Sequence, residues 1–333
     1  MGPCHCHSIS PKSTILTRIT MGKKLRLSPA HWGIFIFIIA QIITFFVLPR
    51  VNLLLQSSHI YIPPQPPESI PLWPQPISPA PPGEVPAPAV GSLGPILLYF
   101  STAVIVLGVT LALIPISALR LLLRILFTFL FSWGIFIILI LWFPPVIALL
   151  VSVSVGFTWF FTPRVWLHNF LMILAMVSLG TIFGRLISPW TAMVLILALA
   201  VYDIVAVRFG YMLWMAKKLA ESSTLPAFIF PQYASEWNSS LTQPSFTKLV
   251  EENPFERKYS ILGGGDVGIP LLLISSAYFG YGFISAVVVA VFSVLGLICS
   301  YWIQAALLKG KPTPALPPIA ILSLIALIIV RYF

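Results

Sequence analysis

Two aspartates are the residues of this chain best placed to do chemistry, because of where they lie. Asp203 and Asp266 are its only aspartates, and both fall inside long apolar stretches. All seven glutamates lie in polar connecting segments instead. A carboxylate in the hydrocarbon region of a bilayer costs at least ~2.5–3.5 kcal/mol, so an ionisable residue there implies a function. Two carboxyl groups held at close range share one proton. The ionised member takes a proton from water while the protonated member donates to a peptide carbonyl oxygen. That is general acid–base hydrolysis with neither metal nor covalent intermediate. The pair titrates as a unit, so neither residue is assigned a separate role.

The flanking residues suggest how such a pair is housed. Asp203 follows Tyr202 in the run Val201-Tyr202-Asp203-Ile204-Val205-Ala206-Val207. Asp266 follows Gly263-Gly264-Gly265. Each glycine costs about 1 kcal/mol of helix stability relative to alanine. Three in a row therefore predict a broken helix start and close approach of another backbone. Glycine clusters also pack membrane helices together, so the run by itself is ambiguous. A third element is Pro312-Thr313-Pro314-Ala315-Leu316-Pro317-Pro318. Its prolines predict a non-helical entry to the last span, with unpaired carbonyls that suit a cavity wall and an extended peptide.

The elements that must position these residues are membrane spans. Apolar residues make up 58% of the 333 and charged residues only 8%, far below the ~25% of a soluble domain. Mean hydropathy is +0.98. The solvent for most of this chain is lipid. Nine stretches suffice for a span of about 20 apolar residues: 31–49, 94–117, 119–143, 145–162, 167–187, 190–209, 262–281, 283–308 and 314–332. The expected fold is therefore an all-α polytopic membrane protein. The first run lacks a small-residue cleavage site and is expected to remain as a span. Asp203 lies about five residues from the end of span six and Asp266 about five from the start of span seven. At 1.5 Å per residue both sit roughly 8 Å in, from the same side.

Orientation follows from lysine and arginine. With nine spans, fifteen of the nineteen basic residues fall on the N-terminal side, including Arg120, Arg124, Arg164, Lys217 and Lys218. Only Arg50, Arg185 and Arg331 fall opposite, and Arg208 lies at a span end. The N terminus is expected in the cytoplasm and the C terminus outside. The expected organisation is a cytoplasmic tail 1–30, spans one to six over 31–209, a cytoplasmic loop 210–261 and spans seven to nine over 262–333. Loop 50–93 is outside, with twelve prolines between Pro63 and Pro88 that favour extended polyproline II. In loop 210–261, Gly210 to Glu221 reads as a short amphipathic helix at the interface and the remainder as flexible.

Other chemistries find little support. No His-Glu-x-x-His zinc motif occurs among the five histidines. Cys4-His5-Cys6-His7 matches no structural zinc spacing and lies in residues 1–20, which Met21 could replace as a start. His31, His59 and His168 are expected at span ends or in loops, away from an intramembrane serine. Three cysteines make no disulfide framework. The net charge of +10 forms no basic stripe interleaved with aromatics, so nucleic acid is not an expected partner. No cofactor and no metal are expected. The rival class is an ion or proton-coupled transporter or leak channel using the paired aspartates.

Taken together, Tyr202-Asp203, Gly263-Gly264-Gly265-Asp266 and Pro314-Ala315-Leu316 resemble the motifs of the presenilin family of GxGD intramembrane aspartyl proteases. Order, spacing and nine spans match over roughly 31–332. The resemblance implies an aspartic endopeptidase that cuts single-span membrane proteins within the bilayer. Asp203 and Asp266 would be its catalytic dyad. Tyr202, Gly263, Gly265, Pro314, Ala315 and Leu316 would shape the active site or touch substrate. Signal peptide peptidases are similar but inverted, and the charge asymmetry favours the presenilin orientation. The short tail and lack of large extra domains resemble prokaryotic, archaeal members, which implies the cell membrane of a prokaryote. Partners would be transmembrane substrates and membrane lipid. Whether a homo-oligomer forms, or the loop between spans six and seven is cut, is open from sequence.

Overall fold

The computed structural model describes residues 29–57, 93–222, 224–241, 259–306 and 314–332. Cys4-His5-Cys6-His7, the Pro63–Pro88 stretch, Lys309, Lys311 and Pro312-Thr313 lie outside these residues. Ten helices occur among those described: α1 (Pro29–Ser57), α2 (Leu93–Leu113), α3 (Ile116–Leu139), α4 (Pro145–Phe161), α5 (Val165–Leu186), α6 (Pro189–Arg208), α7 (Tyr211–Glu221), α8 (Gly264–Tyr281), α9 (Phe283–Ala306) and α10 (Leu316–Tyr332). Five contain runs long and apolar enough to cross a membrane: α1, α3, α5, α6 and α9. The apolar helices α4 and α10 are shorter, at 17 residues each. Helix α8 has 18 residues but opens on Gly-Gly-Asp, which lowers its apolarity.

Proline sets most of the boundaries. Pro144 and Ser188 are the N-caps of α4 and α6, whose first residues are Pro145 and Pro189, where a missing N–H costs nothing. Pro115 is extended (φ −63°, ψ 147°) and caps α3. The second and third apolar stretches therefore part at Ile114-Pro115, not at residue 118 as the hydropathy pattern suggested, because Pro115 disfavours helix in the residue before it. Pro49, in contrast, lies within α1, which continues through Arg50 to Ser57. The outer connection thus starts later than residue 50, where Leu53, Leu54 and Leu55 are good helix formers.

Helix α8 occupies the middle, packed against α1, α5, α6, α9 and α10. Lipid provides no hydrophobic drive between helices, so close packing depends on small residues. A Cβ on Gly184 of α5 would meet Leu272 O and Ser276 N of α8 at 2.8 Å. One on Gly296 of α9 would lie 2.5 Å from Ile319 Cα of α10. Buried polar side chains add cross-links. Gln41 Nε2 of α1 donates to Ser293 Oγ of α9 at 2.9 Å, and Ser276 Oγ donates to Ile187 O at 2.7 Å.

The segment after α7 reads as flexible in the sequence, but among the described residues parts of it are regular. Residues Ala227–Pro231 form β1 and Tyr259–Gly263 form β2, paired antiparallel from Ala227 opposite Gly263 to Pro231 opposite Tyr259. A 3-10 turn, Ala234–Asn238, follows β1. Both strands are short, and their apolar runs are too brief to separate from helix by periodicity. The amphipathic helix expected from Gly210 to Glu221 is present as α7, entered through Gly210 at φ 72°. Arg120 Nη2 of α3 donates to Glu221 O at 3.2 Å, and Arg164 Nη1 donates to Asn238 Oδ1 at 2.9 Å. Trp32 of α1 packs edge-on against Trp237, with ring centroids 5.0 Å apart. Arg120 at the start of α3, Arg164 before α5, helix α7 and the sheet thus gather at one end of the bundle.

Candidate active site

Asp203 is on α6, five residues before that helix ends at Arg208, and is buried (8% exposed). Its Oδ2 lies 3.5 Å from the backbone N–H of Leu316, at the outer limit of a hydrogen bond. Leu316 is the first residue of α10, so its N–H is one of the donors a helix leaves unpaired at its N-terminus. Pro317 and Pro318 follow it and have no N–H. The usual cluster of free amides at a helix start is thereby reduced, leaving Leu316 as the donor at the tip. The positive end of the helix also favours a carboxylate there. Pro314 and Ala315 form the part-buried, non-helical lead-in.

Asp266 is the third residue of α8, and its carboxyl reaches back to the backbone N–H of the N-cap, Gly263. This is the acidic half of a capping box. Asp266 is half-buried and lies within electrostatic reach of Asp203. The depth estimate from sequence is corrected in one respect. Residues 259–263 are strand, not the first turn of a span, so Asp266 lies two residues from its helix start rather than five. Farther on, Pro270 has no N–H to complete the helix bond to the Asp266 carbonyl.

The three glycines do different things. A Cβ on Gly263 would lie 3.0 Å from Asp266 Oδ2, so Gly263 makes room for the carboxyl itself. Gly264, the variable position of the motif and not one of the expected site residues, is the crowded one. A Cβ there would meet Met172 Cε at 2.6 Å and Pro226 O at 3.0 Å, and its N–H donates to Pro226 O at 3.0 Å. Gly265 is exposed and has space: a Cβ would meet only Ile269 Cδ1, at 3.7 Å. Tyr202, adjacent to Asp203, is half-buried and interacts electrostatically with Tyr211 of α7.

Two features were missed in the sequence. Tyr301 of α9 lies within electrostatic reach of Asp266, and its hydroxyl occupies the space beside Gly33 of α1. His168 and Asn169 sit at the start of α5, the expected span end, but they are fully buried and both bind β1. A polar pair at the start of an otherwise apolar helix was the available signal.

Residues 86–332 match the family model described as signal-peptide peptidase, presenilin aspartyl protease. Two solved structures of a presenilin family intramembrane aspartate protease, in space groups C222 and P2, are similar to this chain. Each covers 92% of it, at 16% identity, with 99% and 98% of their own chains aligned and TM-scores of 0.57 and 0.53. At that identity the likeness is one of fold. No curated protein matches. The matched range contains α2 to α10 with both aspartates, the glycine run and the Pro-Ala-Leu segment, and the chain belongs to the signal-peptide peptidase and presenilin aspartyl protease family.

Proposed function

We propose that this protein is an intramembrane aspartyl protease that hydrolyses peptide bonds of single-span membrane proteins, with Asp203 and Asp266 as its catalytic dyad. One observation carries the reading. Helices α6 and α8 bring the chain's only two aspartates within electrostatic reach of each other, with the first N–H of α10 beside Asp203. Two carboxyls sharing a proton supply both the base that activates water and the acid that protonates the peptide oxygen. The Leu316 N–H and the Gly263 N–H each fix one carboxyl, which holds the pair in place before substrate arrives.

The sheet suggests how substrate approaches. Among the described residues it has two strands, and β2 runs directly into Gly263 and Asp266. An extended segment added at the outer edge of β2 would be led to the dyad by main-chain hydrogen bonds. Gly263, Gly265 and the lead-in Pro314-Ala315 would line that path, with Tyr202 beside it. A span must unwind to be cut this way, since a helix hides its carbonyls from attack.

Nine crossings, the N terminus in the cytoplasm and the C terminus outside belong to the same proposal. The fifteen-to-three distribution of basic residues supports it, as does the gathering of Arg120, Arg164 and α7 at one end. The setting is the cell membrane of a prokaryote.

The test is cleavage of a single-span substrate by the purified chain in lipid vesicles. Asp203→Ala and Asp266→Ala each abolish cleavage, and an aspartyl transition-state mimic blocks it. Cleavage that survives either substitution overturns the dyad. Aspartate-dependent ion flux without proteolysis points instead to the transporter.

A further inference from the structure

We propose that Asn169 and His168 are positioning residues for Asp266: they hold β1 from behind, and β1 sets the helix start that carries the carboxyl. The consequence for catalysis rests on the protease reading above; the geometry does not.

Strand β1 is hydrogen-bonded on both edges, although its sheet has only two strands among the described residues. Asn169 Nδ2 donates to Ile229 O at 2.7 Å, and Ile229 N donates back to Asn169 Oδ1 at 2.9 Å. A side-chain amide has the donor and acceptor of a peptide group, so Asn169 stands where a third strand would. His168 Nε2 lies 3.0 Å from Ala227 O. A carbonyl only accepts, so Nε2 carries the proton. The imidazole is held among Phe131, Trp159 and Phe127, with ring centroids 5.6, 5.9 and 6.3 Å away.

These bonds fix the register. Polar groups of alternate strand residues point to opposite edges. Ala227 and Ile229 face α5, so Phe228 and Phe230 face β2. Pro231 shares the α5 edge, where its missing N–H breaks no ladder bond. Pro226 shares the β2 edge, and its carbonyl accepts the Gly264 N–H at 3.0 Å. Gly264 is the first residue of α8, and Ala227 lies opposite Gly263, whose N–H Asp266 accepts. A continuous set of bonds therefore runs from α5 through β1 to the helix start and its carboxyl.

The support is needed because a two-stranded ribbon is marginally stable alone. A slip of one residue would turn the polar groups of Phe228 toward α5 and those of Ile229 toward β2. Without Asn169 and His168 the buried carbonyls of Ile229 and Ala227 lose their donors, which an apolar medium penalises. The two side chains thereby tie β1 to α5 in the observed arrangement.

The experiment uses the full chain in lipid vesicles with Asn169→Leu, His168→Phe and His168→Gln. Hydrogen exchange is followed at 227–231 and 259–266, and kcat and KM are measured on a single-span substrate. In Asn169→Leu and His168→Phe, exchange at 259–266 quickens by about tenfold or more while α9 and α10 stay protected. Cleavage falls by about 10²-fold in kcat with KM within about threefold, as for a displaced catalytic group. His168→Gln, which restores a donor, recovers most of both. Unchanged exchange at 259–266 overturns the proposal. So does exchange that quickens throughout the chain, which marks a general structural role, and so does a loss confined to KM. If the wild-type chain cleaves nothing, the protease reading fails and the exchange arm alone decides the positioning role.

Discussion

The first N–H of α10, on Leu316, lies 3.5 Å from Oδ2 of Asp203 on α6. Residues 113 positions apart are joined by a backbone donor that no change of side chain can supply or remove, except one to proline. Leu316→Pro removes it and leaves the helix start intact, because proline is favoured there. A hydrogen bond this long contributes at most roughly 0.5–1.5 kcal/mol, so cleavage should fall by about 2- to 10-fold. Leu316→Ala keeps the N–H and should retain most activity. Equal loss in the two variants would assign the effect to the leucine side chain instead.

In the proposed dyad the two carboxyls act as one unit, so their substitutions should not add. Asp203→Asn and Asp266→Asn should each remove cleavage to within detection. The double variant should be no worse than either single, as expected for groups that work together. The comparison is made by single-turnover cleavage at matched protein recovery. A double variant well below both singles would mean that each carboxyl works independently.

Gly264 and Gly265 are neighbours with opposite tolerances. Gly264→Ala drives a methyl against Met172 and Pro226 O and should destabilise by ~1–3 kcal/mol, the usual cost of overpacking. Gly265→Ala meets only Ile269 Cδ1 at 3.7 Å and should leave thermal stability unchanged. Loss of activity in Gly265→Ala without loss of stability would place that residue in the substrate path. Thermal unfolding in detergent, read beside cleavage, separates the two effects.

Orientation is testable at two exposed residues. In a cysteine-free background, Glu221→Cys and Tyr332→Cys should react from opposite sides. An impermeant thiol reagent applied to intact cells should label Tyr332→Cys at once and Glu221→Cys only after permeabilisation. The reverse pattern would give the chain the inverted topology of the signal peptide peptidases.

Much of the candidate site was legible because it rests on residue types that lipid makes costly. Two aspartates in apolar runs, a glycine triplet and a proline-bounded Ala-Leu are conspicuous in a chain that is 8% charged. The amphipathic α7 was legible for the same reason, since its polar and apolar residues alternate at helical spacing. What stayed hidden was short or relational. The strands 227–231 and 259–263 are five residues each, too brief for a periodic signal. The Pro115 break was masked by continuous apolarity on both sides.

By itself the sequence determined that the chain lives in lipid, that Asp203 and Asp266 are its exceptional residues, and which family motifs surround them. These follow from the transfer cost of charge and from local backbone preferences, which act residue by residue. Only the tertiary structure decided that the Leu316 N–H faces Asp203, that Gly264 rather than Gly265 is crowded, and that Asn169 and His168 pin β1. Those depend on which helices become neighbours and in what register. That choice is made by close packing through residues such as Gly184 and Gly296, and by hydrogen bonds that span 60 to more than 100 positions of chain.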